Sequence, residues 1–151
     1  MGKFYEGLYD QLKIYIRQSA WLNTAPENEK SKKPELSRRD SLKKNGMEEL
    51  EMPECDAIHI INYLFEIGPA LSIGMGQVPL THSEIQAWQT NTGIELNSWE
   101  SRAIKSLSIE YCNEMHKATS MDCPSPWIDA PYSKVILSNS MRDSIRGLAK
   151  L

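Results

Sequence analysis

The sequence predicts a small all-α domain, and three observations support this fold class. Apolar residues recur at intervals of three and four in several segments of the 151-residue chain. Two sequences typical of helix N-terminal caps precede such segments. The composition is 40% hydrophobic and 25% charged, as in globular proteins with one core. We therefore expect an N-terminal amphipathic helix (1–23), a charged linker (24–54), a helical core domain (55–120), and a Pro-rich segment with a C-terminal amphipathic helix (121–151).

The two terminal helices are expected at the periphery of the domain. Residues 3–19 place apolar side chains on one face and charged side chains on the opposite face, and residues 133–151 return to the same helical period. Between the first helix and the core, residues 30–44 carry seven Lys or Arg against two Asp or Glu, and five acidic residues follow in 48–56. This linker has few aliphatic side chains, so we expect a solvated loop or, alternatively, a basic arm for an acidic partner.

The first helix of the core domain is expected to run to Ile67, with Asp56 as its N-terminal cap. Apolar residues occur on nearly all of its sides, which predicts burial between other elements. The Gly68-Pro69 pair should end or kink this helix. The stretch GMGQVPL at 74–80 predicts a loop whose two glycines permit a sharp bend.

The rest of the core domain predicts a helix–turn–helix unit. Thr81–Glu84 is a capping box that should open a helix closing near Thr92, with Gly93 as a left-handed C-cap. Asn97–Glu100 offers a second capping box, which begins a longer helix ending around Lys117. The short turn between the two helices makes them neighbours in space.

Charge and spacing argue against nucleic-acid, nucleotide and membrane binding. The formal net charge is −3, and a basic surface is the usual footprint of a nucleic-acid binder. The longer helix, which would be the DNA-reading one, carries Glu100, Arg102, Lys105 and Glu110, and these charges sum to zero. Gly74–Gly76 lacks the third glycine of a dinucleotide fingerprint and the Gly-Lys-Ser/Thr ending of a P-loop. The longest apolar run, 57–71, is interrupted and too short to span a bilayer. We therefore expect no cofactor.

The cysteines and histidines provide only a weak metal candidate. Cys55 and His59 are four residues apart, as are Cys112 and His116, and two helical pairs would supply the Cys₂His₂ set that zinc prefers. The spacing is not that of a zinc finger, and cysteine is often buried without a metal, so we predict no metal site. No cysteine or serine has a nearby histidine base with an orienting acid, so we predict no catalytic residues.

Four short pieces of the sequence carry a family resemblance. They are Lys33–Leu36, Gly74–Gly76, Pro79-Leu80 followed by Ile85, and Trp99-Glu100. With the residues around them, from about 21 to 115, they resemble a group of small proteins encoded in long-tailed bacteriophages near the tail tube and tape-measure genes. Such proteins are generally regarded as tail assembly chaperones or accessory tail-assembly proteins. None of the matching motifs is catalytic.

The resemblance implies a non-enzymatic chaperone that binds the tape-measure protein, the tail tube protein or both in the host cell cytoplasm, with self-association as an additional contact. Its partner would lie in a groove between the 56–67 helix and the capped pair. The side chains expected near that groove are Phe65, Met75, Trp88, Trp99 and Tyr111. Two alternatives remain: a structural tail component retained in the virion, and a helix-turn-helix DNA-binding regulator.

Overall fold

The computed structural model describes residues 2–31 and 33–132. These residues form five helices and one antiparallel hairpin, in the order α1 (Lys3–Asn23), α2 (Arg38–Lys44), α3 (Ile58–Ile67), β1 (Leu71–Ser72), β2 (Gln77–Val78), α4 (His82–Thr92) and α5 (Ser98–Ala118). The predicted all-α class is confirmed. The expected C-terminal amphipathic helix, within 133–151, lies outside the described residues.

The two long helices, α1 and α5, run side by side in the same direction. Near their N-termini, the ring centroid of Tyr5 lies 5.2 Å from that of Trp99. Farther along both helices, Arg17 Nε lies 3.7 Å from Glu114 Oε2. The contacts advance along α1 and α5 together, so the pair is parallel. A parallel pair needs a connection that returns the chain to its starting end, and α2, α3, the hairpin and α4 all belong to that connection.

The main core lies where α1, α3, α4 and α5 meet. Its buried side chains are Leu12, Ile16, Ala20, Ala57, Ile60, Ile61, Leu64, Leu80, Ile85, Ile104, Leu107 and Tyr111. α1 is therefore central, and its expected peripheral position is wrong. The charged face that suggested exposure lies partly against α5, because Lys13 and Arg17 contact Glu110 at N–O distances of 3.7 and 3.3 Å.

A second apolar cluster closes the C-terminal ends of α1 and α5. Its buried side chains are Trp21, Leu22, Leu42, Ala118, Ala130 and Tyr132. Leu42 comes from α2, so the expectation of a solvated linker is wrong for 38–44. Ser37 caps α2 by accepting a hydrogen bond from the Asp40 N–H at 3.1 Å. Arg38 and Leu42 are the buried side chains of α2, in a segment that otherwise has the composition of a loop.

Arg38 holds this end of the domain together. Its side chain is only 5% exposed, and its guanidinium donates to the carbonyls of Trp21 (3.3 Å), Thr24 (3.5 Å) and Ser120 (3.0 Å). The guanidinium carbon also lies 4.7 Å from the centroid of the Trp21 ring, within the range of a cation–π contact. Burial lowers the pKa of Arg38, although an arginine remains protonated at neutral pH.

The parallel arrangement explains why an arginine is buried without a carboxylate against it. The last carbonyls of a helix lack intrahelical donors and carry the negative end of its dipole. Parallel packing brings two such ends together, and α1 has no basic residue in its own last turn. Arg38 bonds to carbonyls at the end of α1 and just beyond α5, so one cation serves both helix ends.

The Pro-rich segment 121–132 is irregular, as expected, and covers the second cluster. Gln18 of α1 is fully buried and organises it: its Nε2 donates to Tyr132 Oη at 2.9 Å, and its Oε1 accepts from Ser125 Oγ at 2.9 Å and from the Trp127 N–H at 3.1 Å. Tyr132 Oη donates in turn to the Glu51 carbonyl at 2.9 Å. The side-chain amide of Gln18 therefore attaches the segment that follows α5 to α1.

The capping residues that the sequence predicts for α4 and α5 are confirmed. The Glu84 N–H donates to Thr81 Oγ1 at 3.3 Å at the start of α4, and Gly93 ends that helix in the left-handed region with φ +71°. The Glu100 N–H donates to Asn97 Oδ1 at 2.9 Å at the start of α5. Gly68 ends α3, where its N–H donates to the Leu64 carbonyl at 3.0 Å.

Two expectations about α3 are wrong. Asp56 does not cap it, because the Asp56 carboxylate accepts from Gln11 Nε2 (3.1 Å) and its N–H donates to Gln11 Oε1 (2.9 Å), which joins this turn to α1. The helix starts later, at Ile58, with no side-chain cap. It is also buried on one side only, since Ile58 and Phe65 are exposed.

We predict that Arg38→Met destabilises the fold by about 2 kcal/mol or more, because the charged hydrogen bonds at both helix ends and the contact with Trp21 are lost together. Urea unfolding measures the change. Arg39→Met is the matched control on the same helix: Arg39 is half-buried and bonds Asn23 Oδ1 through its Nε at 2.7 Å, so its loss should cost under about 1 kcal/mol. Equal losses would contradict the role assigned to Arg38.

Glu114 is a buried carboxylate in the α1–α5 interface. Burial raises its pKa; Arg17 and Lys117 oppose the rise, and Glu110 adds to it. Among the described residues the Arg17 Nε–H has no well-aligned hydrogen bond, so its contact with Glu114 is electrostatic only. Because Arg17 pairs only incompletely with Glu114, burial determines the direction of the Glu114 pKa shift.

We predict that Glu114→Gln becomes more stable relative to the unmodified protein as the pH rises. A folded-state pKa above the unfolded value means that the favourable contribution of the protonated carboxyl is lost on ionisation, as the pH rises from the ordinary glutamate pKa of about 4.3 through the raised folded-state pKa. Gln does not titrate, so the difference in unfolding free energy, measured by urea titration across this range, isolates Glu114. A difference that stays constant with pH would be inconsistent with a raised pKa.

Candidate functional site

The structure does not gather the five expected partner-binding side chains into one groove. Trp88 and Tyr111 are buried, Trp99 is half-buried, and Phe65 and Met75 are exposed. Trp99 and Tyr111 are twelve residues apart on α5, which separates them by about 18 Å along the helix axis. They therefore serve different contacts.

The buried aromatic residues belong to packing pairs between helices. The Trp88 ring lies 5.1 Å from Tyr63 of α3, and the Tyr111 ring lies 6.0 Å from Phe65 in an edge-to-face arrangement. Trp88 Nε1 is buried without a hydrogen-bond partner in the described part of the chain. These contacts explain Trp88 and Tyr111 by folding alone.

The hairpin tip, defined as residues 73–76, is the candidate site. Ile73 is 63% exposed and Met75 is fully exposed, although both are large apolar side chains. The Ile73 N–H donates to the Gly76 carbonyl and the Met75 N–H donates to the Ile73 carbonyl, each at 3.0 Å. Gly74 has φ +79°, a left-handed conformation that glycine adopts without steric cost. The backbone thus holds two apolar side chains in solvent, where they contribute nothing to the core.

The base of the hairpin is fastened to α5. The Leu80 N–H donates to Ser108 Oγ at 2.8 Å, and Ser108 Oγ donates to the Pro69 carbonyl at 2.7 Å. Lys105 Nζ donates to the Leu80 carbonyl at 3.1 Å. Ser108 is fully buried, so the hydrogen bond that it accepts from the Leu80 N–H is shielded from water. The hairpin is therefore rigid where it leaves the core and exposed where it turns.

Ile73 and Ser108 are the site residues that sequence analysis missed. A signal for Ile73 was present, because an apolar residue directly before Gly-Met-Gly places two apolar side chains on the same turn. Ser108 has no local signal: a serine inside a helix looks like any polar surface residue until its partners on another segment are known.

The metal and thiol candidates do not form a site. Cys55 precedes α3, so it does not share a helix with His59, whereas Cys112 and His116 both lie on α5. Across residues 2–31 and 33–132, no group of three or more His, Cys, Asp or Glu side chains is arranged to hold a metal ion. Burial raises the pKa of the Cys55 and Cys112 thiols, which lowers the thiolate fraction at neutral pH.

The helix-turn-helix segment is arranged unlike a DNA reader. A recognition helix presents its side chains to the major groove, but α5 packs against α1 and α3 and carries seven buried residues. Two of its charged side chains are engaged within the protein: Lys105 bonds the Leu80 carbonyl, and Glu110 pairs with α1. Its position favours a structural role. None of the helices in the described residues is long and apolar enough to cross a membrane.

A comparison of the chain with protein-family models, curated proteins and solved structures found no match.

We predict that Gly74→Ala loosens the hairpin tip, because an alanine at φ +79° is strained by about 1 kcal/mol. Amide hydrogen exchange at Ile73, whose N–H bonds the Gly76 carbonyl, should become about fivefold faster. Gly76→Ala is the control: its φ is not positive and an added Cβ meets nothing within 4 Å. The same acceleration in both variants would show that φ at Gly74 does not hold the turn.

Proposed function

We propose that this chain is a non-enzymatic binding protein that contacts another polypeptide through the hairpin tip, and that it acts as a phage tail assembly chaperone. The observation that carries the first part is the exposure of Ile73 and Met75 on a turn whose base is fixed to α5. The second part rests on the resemblance of the sequence to small tail-assembly proteins. The partners proposed are the tape-measure protein, the tail tube protein or both, in the host cell cytoplasm.

The chemistry of the tip suits a reversible contact. Burying a side chain such as Ile or Met contributes about 1.5–3 kcal/mol, so the two together support affinity without an obligate interface. Met75 is unbranched and flexible, which lets it adapt to apolar surfaces of different shape. A tape-measure protein is a long helix whose apolar stripe is exposed before the tail tube encloses it. A contact made by a few apolar side chains can cover such a stripe and later be displaced.

Phe65 and Ile58 extend the apolar surface available to a partner. They are seven residues apart on α3, which places them two turns apart on the same face, and both are about 40% exposed. Of the five side chains expected at the partner surface, Phe65 and Met75 are exposed, and Trp99 is half-buried at a different place. We also propose that the chain self-associates through the same face.

The second candidate function is a structural tail component retained in the virion. The same exposed apolar tip favours it, because a permanent neighbour would cover Ile73 and Met75 as well as a transient one. Mass spectrometry of finished particles distinguishes the two functions. A chaperone is absent from them, whereas a structural component is present in stoichiometric amount.

We predict that the double variant Ile73→Ser/Met75→Ser reduces co-purification with the tape-measure protein of the same genome at least about tenfold, because the burial energy of two apolar side chains is removed from the interface. Ile128→Ser is the matched control, since Ile128 is 89% exposed but lies in the Pro-rich segment. Pull-down followed by quantitative mass spectrometry gives the ratio.

Equal loss in the control variant would mean that the effect is not specific to the tip. Capture that is unaffected by the tip variant, together with circular dichroism showing an intact fold, would remove the hairpin tip as the binding surface. Failure of the tape-measure and tail tube proteins to co-purify with the unmodified chain would overturn the chaperone proposal itself.

A further inference from the structure

A concave surface lies at the opposite end of α5 from Arg38. The N-terminal turns of the parallel helices α1 and α5 enclose an open depression of about 290 Å³. Its lining side chains are Tyr5, Glu6, Tyr9, Asp10 and Trp99. We call this surface the N-terminal depression. It combines three aromatic rings with two carboxylates, and none of these side chains belongs to the hairpin tip.

The aromatic side of the depression is wedge-shaped. The Tyr5 and Trp99 ring centroids are 5.2 Å apart and their planes are inclined by 53°, so the two rings diverge instead of stacking face to face. Tyr5 and Tyr9 are four residues apart on α1 and therefore lie on the same face. Tyr5 is exposed and Trp99 is half-buried, which leaves ring surface open to a ligand.

The acidic side of the depression is formed by Glu6 and Asp10. They too are four residues apart on α1 and so are neighbours along one face of the helix. Both are exposed, and within the described part of the chain the ion pairs of α1 involve Lys13 and Arg17, not these two carboxylates. Two adjacent like charges without a cation repel each other, and a bound cation relieves that repulsion.

Tyr9 is partly buried beside the depression and lies near the carboxylates of Glu110 and Asp10 as well as the Arg17 guanidinium. Burial raises the pKa of Tyr9, and the charges of Glu110 and Asp10 raise it further, whereas the Ser106 hydroxyl and Arg17 oppose the rise. A phosphate or carboxylate ligand would meet the charges of Glu6 and Asp10 and is disfavoured. An uncharged apolar ligand would use the rings but leave both carboxylates unpaired.

We infer that the N-terminal depression binds an arginine side chain of a partner polypeptide. A guanidinium is planar, stacks on the faces of Tyr and Trp rings, and donates two parallel hydrogen bonds to a carboxylate. Tyr5 and Trp99 supply the ring faces, and Glu6 and Asp10 supply the acceptors. The volume accommodates one long side chain, so the site recognises a single residue of a peptide.

This site is independent of the proposed hairpin contact. Trp99 lies nine residues before Ser108, which fastens the hairpin base, and this spacing corresponds to about 14 Å along α5. The inference therefore does not rest on the chaperone proposal, and a partner spanning both surfaces would meet apolar side chains at one and acidic side chains at the other.

The test uses the full chain and two blocked amino acids as probes, N-acetyl-arginine methylamide and N-acetyl-citrulline methylamide. Citrulline has nearly the shape of arginine but no charge, so the pair separates cation recognition from packing. Two-dimensional NMR follows the Trp99 indole N–H, assigned with a Trp99→Phe variant. The arginine probe should produce a saturable shift of this signal, and the citrulline probe should bind at least about fivefold more weakly, as expected for a cation–π contact of about 1 kcal/mol or more.

Matched variants test which side chains bind the arginine probe. Glu6→Gln/Asp10→Asn should weaken the arginine probe at least about fivefold, and Tyr5→Ala should weaken it to a similar extent. Glu48→Gln/Glu49→Gln removes the same net charge from two exposed positions outside the depression and should leave the affinity unchanged. No saturable shift, equal binding of the two probes, or an equal loss in the Glu48/Glu49 control would each overturn the assignment.

Discussion

The parallel packing of α1 and α5 is the constraint on which the rest of this structure depends. Two helices that run in the same direction bring like dipole ends together. Different side chains compensate the dipole charges at each end of the pair. At the C-terminal end, buried Arg38 from a short intervening helix bonds the Trp21 carbonyl in the last turn of α1 and the Ser120 carbonyl just beyond α5. At the N-terminal end, each first turn carries a glutamate, Glu6 in α1 and Glu100 in α5, whose charge offsets the positive dipole ends.

This arrangement also determines where binding can occur. α5 is covered by α1 on one side and by α3 and the hairpin base on another, so its middle is occupied by folding contacts. The surfaces available to a partner therefore lie away from the middle of α5. The hairpin tip and the N-terminal depression both meet this condition, one by projecting from α5 and the other by lying at its first turn.

The sequence predicted the parts of the fold that local chemistry decides. Thr81, Gly93 and Asn97 act within one turn of themselves, and each boundary was found where the capping rules placed it. The role of Arg38 could not be predicted in this way. Nothing in a basic, aliphatic-poor segment shows that one of its arginines bonds the Thr24 carbonyl just after α1 and the Ser120 carbonyl just after α5.

The candidate site was predictable only in part, for the same reason. The glycines around Met75 indicated an exposed bend, and the fold has one there. Trp88 and Tyr111 were expected beside it because large aromatic residues suit binding surfaces as well as cores. Only their neighbours, Tyr63 and Phe65, show that packing explains them.

The distance along the chain between the two central helices has a consequence for synthesis. Asn23 Nδ2 bonds Tyr111 Oη across 88 residues of sequence, so the α1–α5 interface cannot form on the ribosome until α5 has emerged, although α2 and α3 contact α1 as well. Contacts of such separation make folding slow relative to chains with local contacts. The main core, which needs residues of both α1 and α5, is therefore completed only after α5 has been synthesised.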